Sequence, residues 1–462
     1  MLNPTKFFAC PFRLESASSK LKMLLPKLPF QFFAPLLWYL PVFLYGQGHA
    51  GLDGSLLSYL QQAQAHNPGL QAARKVYDAA KERIPQAAAL PDPMFQVAHF
   101  VESVQTRTGP QENVYMLSQK FPLPGKRSGK EELAHSEAQA FWYAFQHRQL
   151  QLARQVALGY YEYGYTAEAV RLTSESITLL KKLEPIVEQK VTVGAPLNSF
   201  LRLKVEIGKM EDRRQTLLQE QHIQSAKLRE LLGHSGEGDL AWPEWKNPDL
   251  FVPDVDSLAQ GLRENNPELL MLRQDIQSAG TRADLAGLAN YPDITLGVNY
   301  VDLGGMEGNP SMAIPQKDPW AVTLSINLPI WKEKIHSAMA EAQSLKDAAD
   351  KKYESRRLAL GTEMAVALAY LEDANRRVQL YGNELLDLAK QAVENTQASY
   401  ENGKSGILDL IDSERSLLDI QLLHRRAACD AWKQRSNLQT LANQPLFHPS
   451  PSPLPTPDAE QP

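Results

Sequence analysis

The chain has 462 residues, and its 48 lysines and arginines nearly balance its 53 aspartates and glutamates. This balance, without a long basic run, argues against a nucleic acid partner. Because only two cysteines occur, a disulfide framework and a cysteine-rich metal site are both excluded.

The first fifty residues have the features of a secretory signal. Lysines precede the apolar stretch Leu28–Gly46, and small residues follow it at Gly46, Gly48 and Ala50. Three prolines inside the stretch would break or kink a permanent membrane helix. We predict a signal peptide over residues 1–50, cleaved near 46–50, with Met23 as an alternative start. A retained N-terminal anchor is the competing interpretation. No later stretch reaches the ~18 apolar residues of a spanning helix.

The rest of the chain repeats itself at an offset of about 200 residues. Ala65–Val101 resembles Glu264–Val301, and Lys190–Glu206 parallels Ser399–Arg415. Such a duplication indicates two copies of one structural unit. The predicted segments are a first repeat at 51–234, a linker at 235–254, a second repeat at 255–444 and a disordered Pro-rich tail at 445–462.

Each repeat opens with a helical stretch, Asp53–Leu90 or Val255–Leu288, and two strands of about 9–11 residues follow it. In the second repeat the strands alternate cleanly between apolar and polar residues, as a sheet with one apolar face requires. The predicted lipid-facing residues of these strands are Ile294, Leu296, Val298, Tyr300, Val322, Leu324 and Ile326.

The exit from the strands of the first repeat reads FPLPGKRSGKEE. A phosphate-binding loop needs a glycine where Pro124 stands and a hydroxyl where Glu131 stands. The second copy, LPIWKEKIHSAM, has no glycine at all. The feature that the two copies share is a proline-containing connection from a strand to a helix. We predict a junction at headgroup level, with Lys126, Arg127 and Lys130 in a wet interface.

A very long helix follows in each repeat, Lys126–Val193 and Lys332–Asn402. About 70 residues at 1.5 Å each extend on the order of 100 Å, beyond any ordinary globular domain. Apolar residues spaced by three and four favour an antiparallel coiled coil. The turns VGAPL and NGKSG then reverse the chain into a helix of about 38 residues.

Four such strands cannot close a sheet by themselves. Their bare edges would cost several kcal/mol per unpaired backbone group in lipid, so closure must come from other chains. Aromatic residues at the strand ends are typical of interfacial girdles. The competing interpretation is an edge-protected sheet in a soluble coiled-coil protein.

The duplicated plan, the Asn-Pro pair near the start of each repeat and the stretch Gly403–Arg415 resemble the bacterial outer-membrane efflux proteins, the TolC-type channels. The FPLPGKR form of the junction is similar to the heavy-metal efflux branch. The resemblance implies a mixed α+β membrane protein, a homotrimer whose twelve strands form a transmembrane β-barrel and whose helices form an α-barrel. The helical part would lie in the periplasm.

On this resemblance the chain is a passive conduit from periplasm to outside in a tripartite efflux pump or type I secretion system, for metal ions or small toxic compounds. Its partners would be a periplasmic adaptor (membrane fusion) protein, an inner-membrane pump and outer-membrane lipid. No catalytic residue, cofactor or metal site is predicted, because the histidines are scattered and no HExxH or GxSxG motif occurs. The alternative from another class is a soluble periplasmic coiled-coil adaptor or structural protein.

Two sets of candidate site residues follow. The turns at the ends of the long helices are predicted to form the periplasmic tip and contact the adaptor, through Gly194, Pro196, Gly403, Lys404 and Ser405. Asp409 and Asp412 share one helix face, and three-fold symmetry would make them rings of carboxylates that favour cations at the tunnel entrance. Alternatively they are acids favoured at a helix N-terminus, or salt-bridge partners of Lys404 and Arg415. In the resembled family such polar links hold the entrance shut, so both interpretations stay open.

Overall fold

The structure is a computed structural model that describes residues 54–106, 109–235, 240, 242–243, 245, 248, 252–304 and 317–444. The predicted signal peptide, the Pro-rich tail, most of the predicted linker and the loop after the third strand lie outside the described residues.

In the first repeat, three short helices precede a strand pair and a long helical hairpin. The helices are α1 (Gly54–His66), α2 (Pro68–Lys81) and α3 (Arg83–Ala88), and the strands are β1 (Met94–Thr106) and β2 (Gly109–Phe121). The hairpin consists of α4 (Lys126–Thr192), about 100 Å long, and α5 (Leu197–Leu232).

The second repeat has the same order with small differences. Its elements are α6 (Val255–Asn265), α7 (Pro267–Leu288), β3 (Ile294–Leu303), β4 (Trp320–Ile326), α8 (Lys332–Gln379), α9 (Leu386–Glu401) and α10 (Ile407–Ala442). Among the described helices, none combines the length and the apolarity that a membrane span needs.

Two details of the second repeat differ from the prediction. Strand β4 ends at Ile326, whereas the alternation suggested a strand through Leu328, because Asn327 turns to accept a hydrogen bond from the backbone N–H of Asp293. The long helix Lys332–Asn402 is also not one α-helix. A π-helical segment, Leu380–Leu385, separates α8 from α9.

The four strands form one antiparallel sheet in the order β1-β2-β3-β4. The central pair, β2 with β3, joins the two repeats, and its register places Leu117 opposite Val298. Within the described residues, the outer edges of β1 and β4 pair with no further strand. The sheet is therefore open at both edges.

The Asn-Pro pairs have the same structural role in both repeats. Asn67 and Asn266 are the N-caps of α2 and α7, where their side-chain oxygens accept hydrogen bonds from backbone N–H groups of the first turn. Proline follows at the first helical position, where its missing N–H costs nothing. Each asparagine also donates its amide to the end of the last helix of its own repeat, to Leu231 O and Leu441 O, both at 2.9 Å. One side chain thus ties the beginning of each repeat to its end.

The main apolar core lies where the two helical hairpins meet. It contains residues of α4, α5 and α10, with Leu180, Leu203 and Leu410 almost fully buried. The hairpins of the two repeats are therefore packed as one body at the end of the molecule that contains the turns.

Candidate functional site

One face of the sheet is apolar across all four strands. The register places Phe95, Leu117, Val298 and Val322 in one row. All seven residues predicted to face lipid lie on this face, and all are exposed in the single chain: Ile294, Leu296, Val298, Tyr300, Val322, Leu324 and Ile326. A soluble monomer rarely leaves so continuous an apolar surface in water.

Gln119 interrupts the apolar pattern of β2, and the structure gives the reason. It stands opposite Leu296 on the apolar face, at the end of the sheet nearest the helices. Its amide nitrogen donates to the backbone carbonyls of Pro91 and Lys120, at 2.7 and 3.0 Å. The Gln119 amide thus holds the segment that connects α3 to β1 against the end of β2.

A row of polar side chains lies beyond the apolar band, at the loop end of the strands. His99 Nδ1 lies 2.9 Å from Asn113 Oδ1, and the Asn113 amide donates to Asp302 at 2.8 Å. Just inside this row, Tyr300 donates its hydroxyl to Asp318. The apolar band is therefore bordered first by aromatic residues and then by charged residues. This spatial order is typical of a protein surface at the boundary between lipid and water.

The opposite face of the sheet carries small and polar residues. Ser118, Gly297 and Thr323 form one of its rows. A Cβ at Gly297 would lie 2.6 Å from Thr323 Oγ1, so this position has no room for a side chain. Apolar and polar faces alternate with a period of two, which is the pattern of a barrel with lipid outside and water inside.

The junction between strands and helices is built around Asp293. Its carboxylate accepts hydrogen bonds from Lys126 at 2.8 Å and from the backbone N–H of Leu123 at 3.3 Å, and it pairs with Lys120 at 2.9 Å. Burial opposes the charge of Asp293, but the hydrogen bonds from Lys126, Lys120 and Leu123 lower its pKa to about 2.

This geometry revises the interpretation of FPLPGKRSGKEE. Gly125 adopts φ +98°, a conformation that favours glycine, and it turns the chain into α4. Arg127 and Lys130 are exposed, as a charged interface requires. Lys126 was predicted to lie in the same wet interface, but most of its side chain is shielded from solvent. Its side chain is only 15% exposed and joins the first repeat to Asp293 of the second.

The two turns at the far end of the helices have similar geometry. Gly194 and Gly403 adopt φ values of +108° and +70°, and no atom lies within 4 Å of a Cβ built on either. Pro196 is the N-cap of α5. The backbone N–H groups of Lys404 and Ser405 both donate to Ser399 O, at 2.8 and 3.3 Å. The predicted tip residues thus form two tight, exposed turns.

Asp409 and Asp412 follow the second turn, and both are exposed. The Asp409 carboxylate accepts a hydrogen bond from the backbone N–H of Gly406 at 3.1 Å, which caps α10. Asp412 lies 3.8 Å from Arg415 on the same helix. These contacts are the ones expected of helix N-terminal acids. Since the carboxylates are also open to solvent, a role in lining a pore stays a prediction.

Two links between the hairpins were not found from the sequence. Arg415 on α10 makes two hydrogen bonds to Glu206 on α5, at 3.2 and 2.6 Å, and the Glu206 side chain is only 7% exposed. Lys190 on α4 donates to Tyr400 O at 3.0 Å and lies 3.8 Å from the Tyr400 ring centroid. A signal for the first link existed, because Glu206 and Arg415 occupy equivalent positions of the two repeats with opposite charge.

Comparison with known proteins identifies this arrangement. Residues 258–444 match the family model of outer membrane efflux proteins. This stretch of the chain is similar to that family and makes up less than half of the sequence. The chain is 23% identical over 387 residues to the cobalt-zinc-cadmium resistance protein CzcC of Cupriavidus metallidurans, covering 80% of this chain and 85% of that protein.

Solved structures of outer membrane channels share the fold. The structure of CusC superposes with a TM-score of 0.72 at 17% identity, covering 86% of this chain and 95% of that chain. The open-state MtrE outer membrane channel of Neisseria gonorrhoeae gives a TM-score of 0.70 at 19% identity, covering 84% and 89%. The predicted fold, in which long helices are combined with a four-stranded antiparallel sheet as in these outer membrane channels, is confirmed.

Proposed function

We propose that this chain is the outer-membrane channel subunit of a tripartite efflux pump or type I secretion system. Three copies close their open sheets into a twelve-stranded barrel in the outer membrane, and their helices form a tunnel in the periplasm. The tunnel is a passive conduit and catalyses no reaction. The observation that supports this best is an open four-stranded sheet with an exposed apolar face. The sheet is joined to the helix α4, which is about 100 Å long, and to its interrupted counterpart, α8 and α9.

Exposed apolar residues on the helices agree with assembly from several copies. Leu345 of α8 and Leu388 of α9 belong to the apolar pattern that favours a coiled coil, yet they are 57% and 60% exposed in the single chain. An apolar stripe lies on α5 at Leu197, Leu201 and Val205, spaced by four residues on one helix face. Neighbouring copies would cover these residues as the helices close into a barrel.

The proposal assigns roles to the predicted site residues. The two turns form the periplasmic tip that contacts an adaptor protein, which in turn links the channel to an inner-membrane pump. Asp409 and Asp412 lie at the tunnel entrance just behind this tip. The seven apolar residues of β3 and β4 contact lipid. The proposal also includes the predicted boundaries of the signal peptide, the two repeats and the linker.

The cargo is proposed from the relatives. One is named for resistance to cobalt, zinc and cadmium, and another is named as a solvent efflux pump protein of Pseudomonas putida, 23% identical over 283 residues. We propose metal ions or small toxic compounds as cargo. A soluble periplasmic coiled-coil adaptor or structural protein is the competing function, but it gives no reason for the exposed apolar sheet face.

Neighbouring residues of β4 provide a direct test. Val322 lies on the apolar face and Thr323 on the polar face, so aspartate at 322 would enter lipid, whereas aspartate at 323 would enter water. We expect Val322→Asp to block assembly in the outer membrane and the conductance of the purified protein in planar bilayers. Thr323→Asp should insert and conduct. Equal behaviour of the two variants, or a wild type that stays in the soluble fraction, would reject the proposal.

A further inference from the structure

Two histidines far apart in the sequence meet at the base of the first repeat. His66 is the last residue of α1, and His234 follows the end of α5. Their ring centroids lie 5.7 Å apart, with the ring planes tilted by 41°. Both side chains are exposed.

The backbone holds the two histidines close together. The Asn67 side chain donates to Leu231 O at 2.9 Å, which joins the residue after His66 to the end of α5. Gly233 adopts φ +76°, and a Cβ there would lie 2.4 Å from His66 O. A side chain at Gly233 would push the two chain segments apart, so the fold holds the backbones of the two histidines next to each other.

This spacing suits one metal ion between the two rings. An imidazole nitrogen binds a first-row ion such as zinc at about 2.0–2.1 Å, which places the ring centroid about 3.2 Å from the ion. Two such rings are about 5.2 Å apart at a tetrahedral angle and about 6.4 Å apart when they oppose each other. The observed 5.7 Å falls between these limits.

The electrostatic surroundings also favour a cation. Helices α1 and α5 both end at this point, so both helix dipoles have their negative ends here. Imidazole is a ligand suited to zinc, copper and nickel, whereas magnesium and calcium prefer oxygen.

The second repeat provides an internal comparison. It has the same asparagine link, from Asn266 to Leu441 O at 2.9 Å. The residue after its last helix, Asn443, has the same left-handed backbone conformation as Gly233, with φ +47°. The positions equivalent to the two histidines are Asn265 and Gln444. The scaffold therefore forms without imidazoles, and the histidines of the first repeat are not required by its architecture.

We propose that His66 and His234 form a binding site for a divalent transition metal ion, with water completing the coordination shell. Within the described residues no group of three or more His, Cys, Asp or Glu side chains could hold a metal, so the proposed site has two protein ligands, both of them imidazoles. A bound ion would connect the end of α1 to the end of α5. The site does not depend on the proposed channel function.

The test uses the full-length protein in detergent after removal of metal with a chelator. Zinc is titrated by calorimetry in the presence of excess magnesium, with the wild type, His66→Asn, His234→Gln and the double variant. These substitutions introduce the residues of the second repeat. His336→Gln, an exposed histidine on α8, is the control.

We expect the double variant to lose one zinc ion per chain and each single variant to bind zinc at least about tenfold more weakly, whereas the control is unchanged. Equal stoichiometry and affinity in the wild type and the double variant would overturn the proposal. Copper electron paramagnetic resonance of the wild type adds a readout that needs no variant. Two imidazole nitrogens on bound copper support the site, and one or none refutes it.

Discussion

Asp293 is a single carboxylate that connects both repeats at the base of the sheet. Its pKa of about 2 in the folded chain lies below the ordinary value near 4. The folded state therefore gains stability from the ionised group at neutral pH, and this gain is lost as the pH falls from about 4 to about 2. We expect Asp293→Asn to lower the free energy of unfolding by about 1–2 kcal/mol at pH 7 and by much less at pH 2.

Asp284→Asn, at an exposed site on α7, is the matched control for this prediction. Denaturant unfolding in detergent at the two pH values measures the difference. The same loss of stability at pH 7 and pH 2, or the same loss in the control, would show that Asp293 does not act through its charge.

Asn266 combines two roles, as an N-cap and as a donor to Leu441 O, and two substitutions separate them. Serine can keep the cap but is too short to reach Leu441, whereas alanine loses both interactions. We expect Asn266→Ala to cost about 2 kcal/mol and Asn266→Ser about half of that in thermal or denaturant unfolding. Equal costs for the two variants would mean that the cap contributes nothing.

At the residue scale, the sequence predicted the type of interaction better than the partner. Proline and glycine at the junction indicated a turn, and the structure has one at Gly125. The partner of Lys126 was missed, because Asp293 is 167 residues away and only the pairing of β2 with β3 brings it near. The Glu206–Arg415 link was missed for the same reason, since it forms only when the hairpins of the two repeats pack.

Among the elements, the hairpin turns give the sharpest prediction. Gly403 has φ +70° with open space around it, so valine there would meet backbone strain of about 1–2 kcal/mol without a steric clash. We expect Gly403→Val to rearrange the turn and abolish export, because the turn is the proposed adaptor contact. Barrel insertion should persist, since the strands lie at the opposite end of the helices.

Gly280→Val is the matched control, because Gly280 also has open space around it but lies inside α7 without a positive φ. Export is measured as restored resistance to toxic metals or organic compounds in a host lacking its own channel. Insertion is measured by recovery of the protein in outer membranes. Normal export by Gly403→Val would place the adaptor contact elsewhere.

Most helices and strands could be predicted, because the spacing of apolar residues indicates the type of element and proline marks its ends. The long helix was expected to begin at Lys126 and end at Val193, and α4 covers Lys126–Thr192. The π-helical segment was not predicted, and the side chain packed against it lies on another helix. A Cβ at Gly382 would lie 2.8 Å from His424 Nε2 of α10, so this segment fits around a side chain that the local sequence does not contain.

For the whole molecule, the predicted role of Asp409 and Asp412 appears only when three copies surround one pore. The variant Asp409→Asn with Asp412→Asn removes the charges but keeps an oxygen that can cap α10 at Gly406. In planar bilayers we expect higher single-channel conductance and weaker cation preference. Asp419→Asn, farther along α10 and 3.5 Å from Arg213, is the control. Unchanged conductance and selectivity would show that the two carboxylates neither line nor close the pore.

The duplication also made the architecture of the whole molecule predictable, because each repeat supported the interpretation of the other. The weak alternation in β2 was understood only beside the clean alternation in β3. The partners of the exposed surfaces could not be predicted in the same way. The free edges of β1 and β4 show that backbone groups lack a partner, and the exposed apolar residues of α5, α8 and α9 show that apolar surface is uncovered. Neither observation identifies the partner.

The central claim is that copies of this chain close one another's sheets in a membrane, and the mass of the native assembly tests it most directly. The protein is extracted from outer membranes in a mild detergent and measured by native mass spectrometry. We predict an assembly three times the mass of the mature chain, with its β-structure retained only while detergent or lipid is present. A single chain that is monodisperse and fully folded in buffer without detergent would contradict the claim.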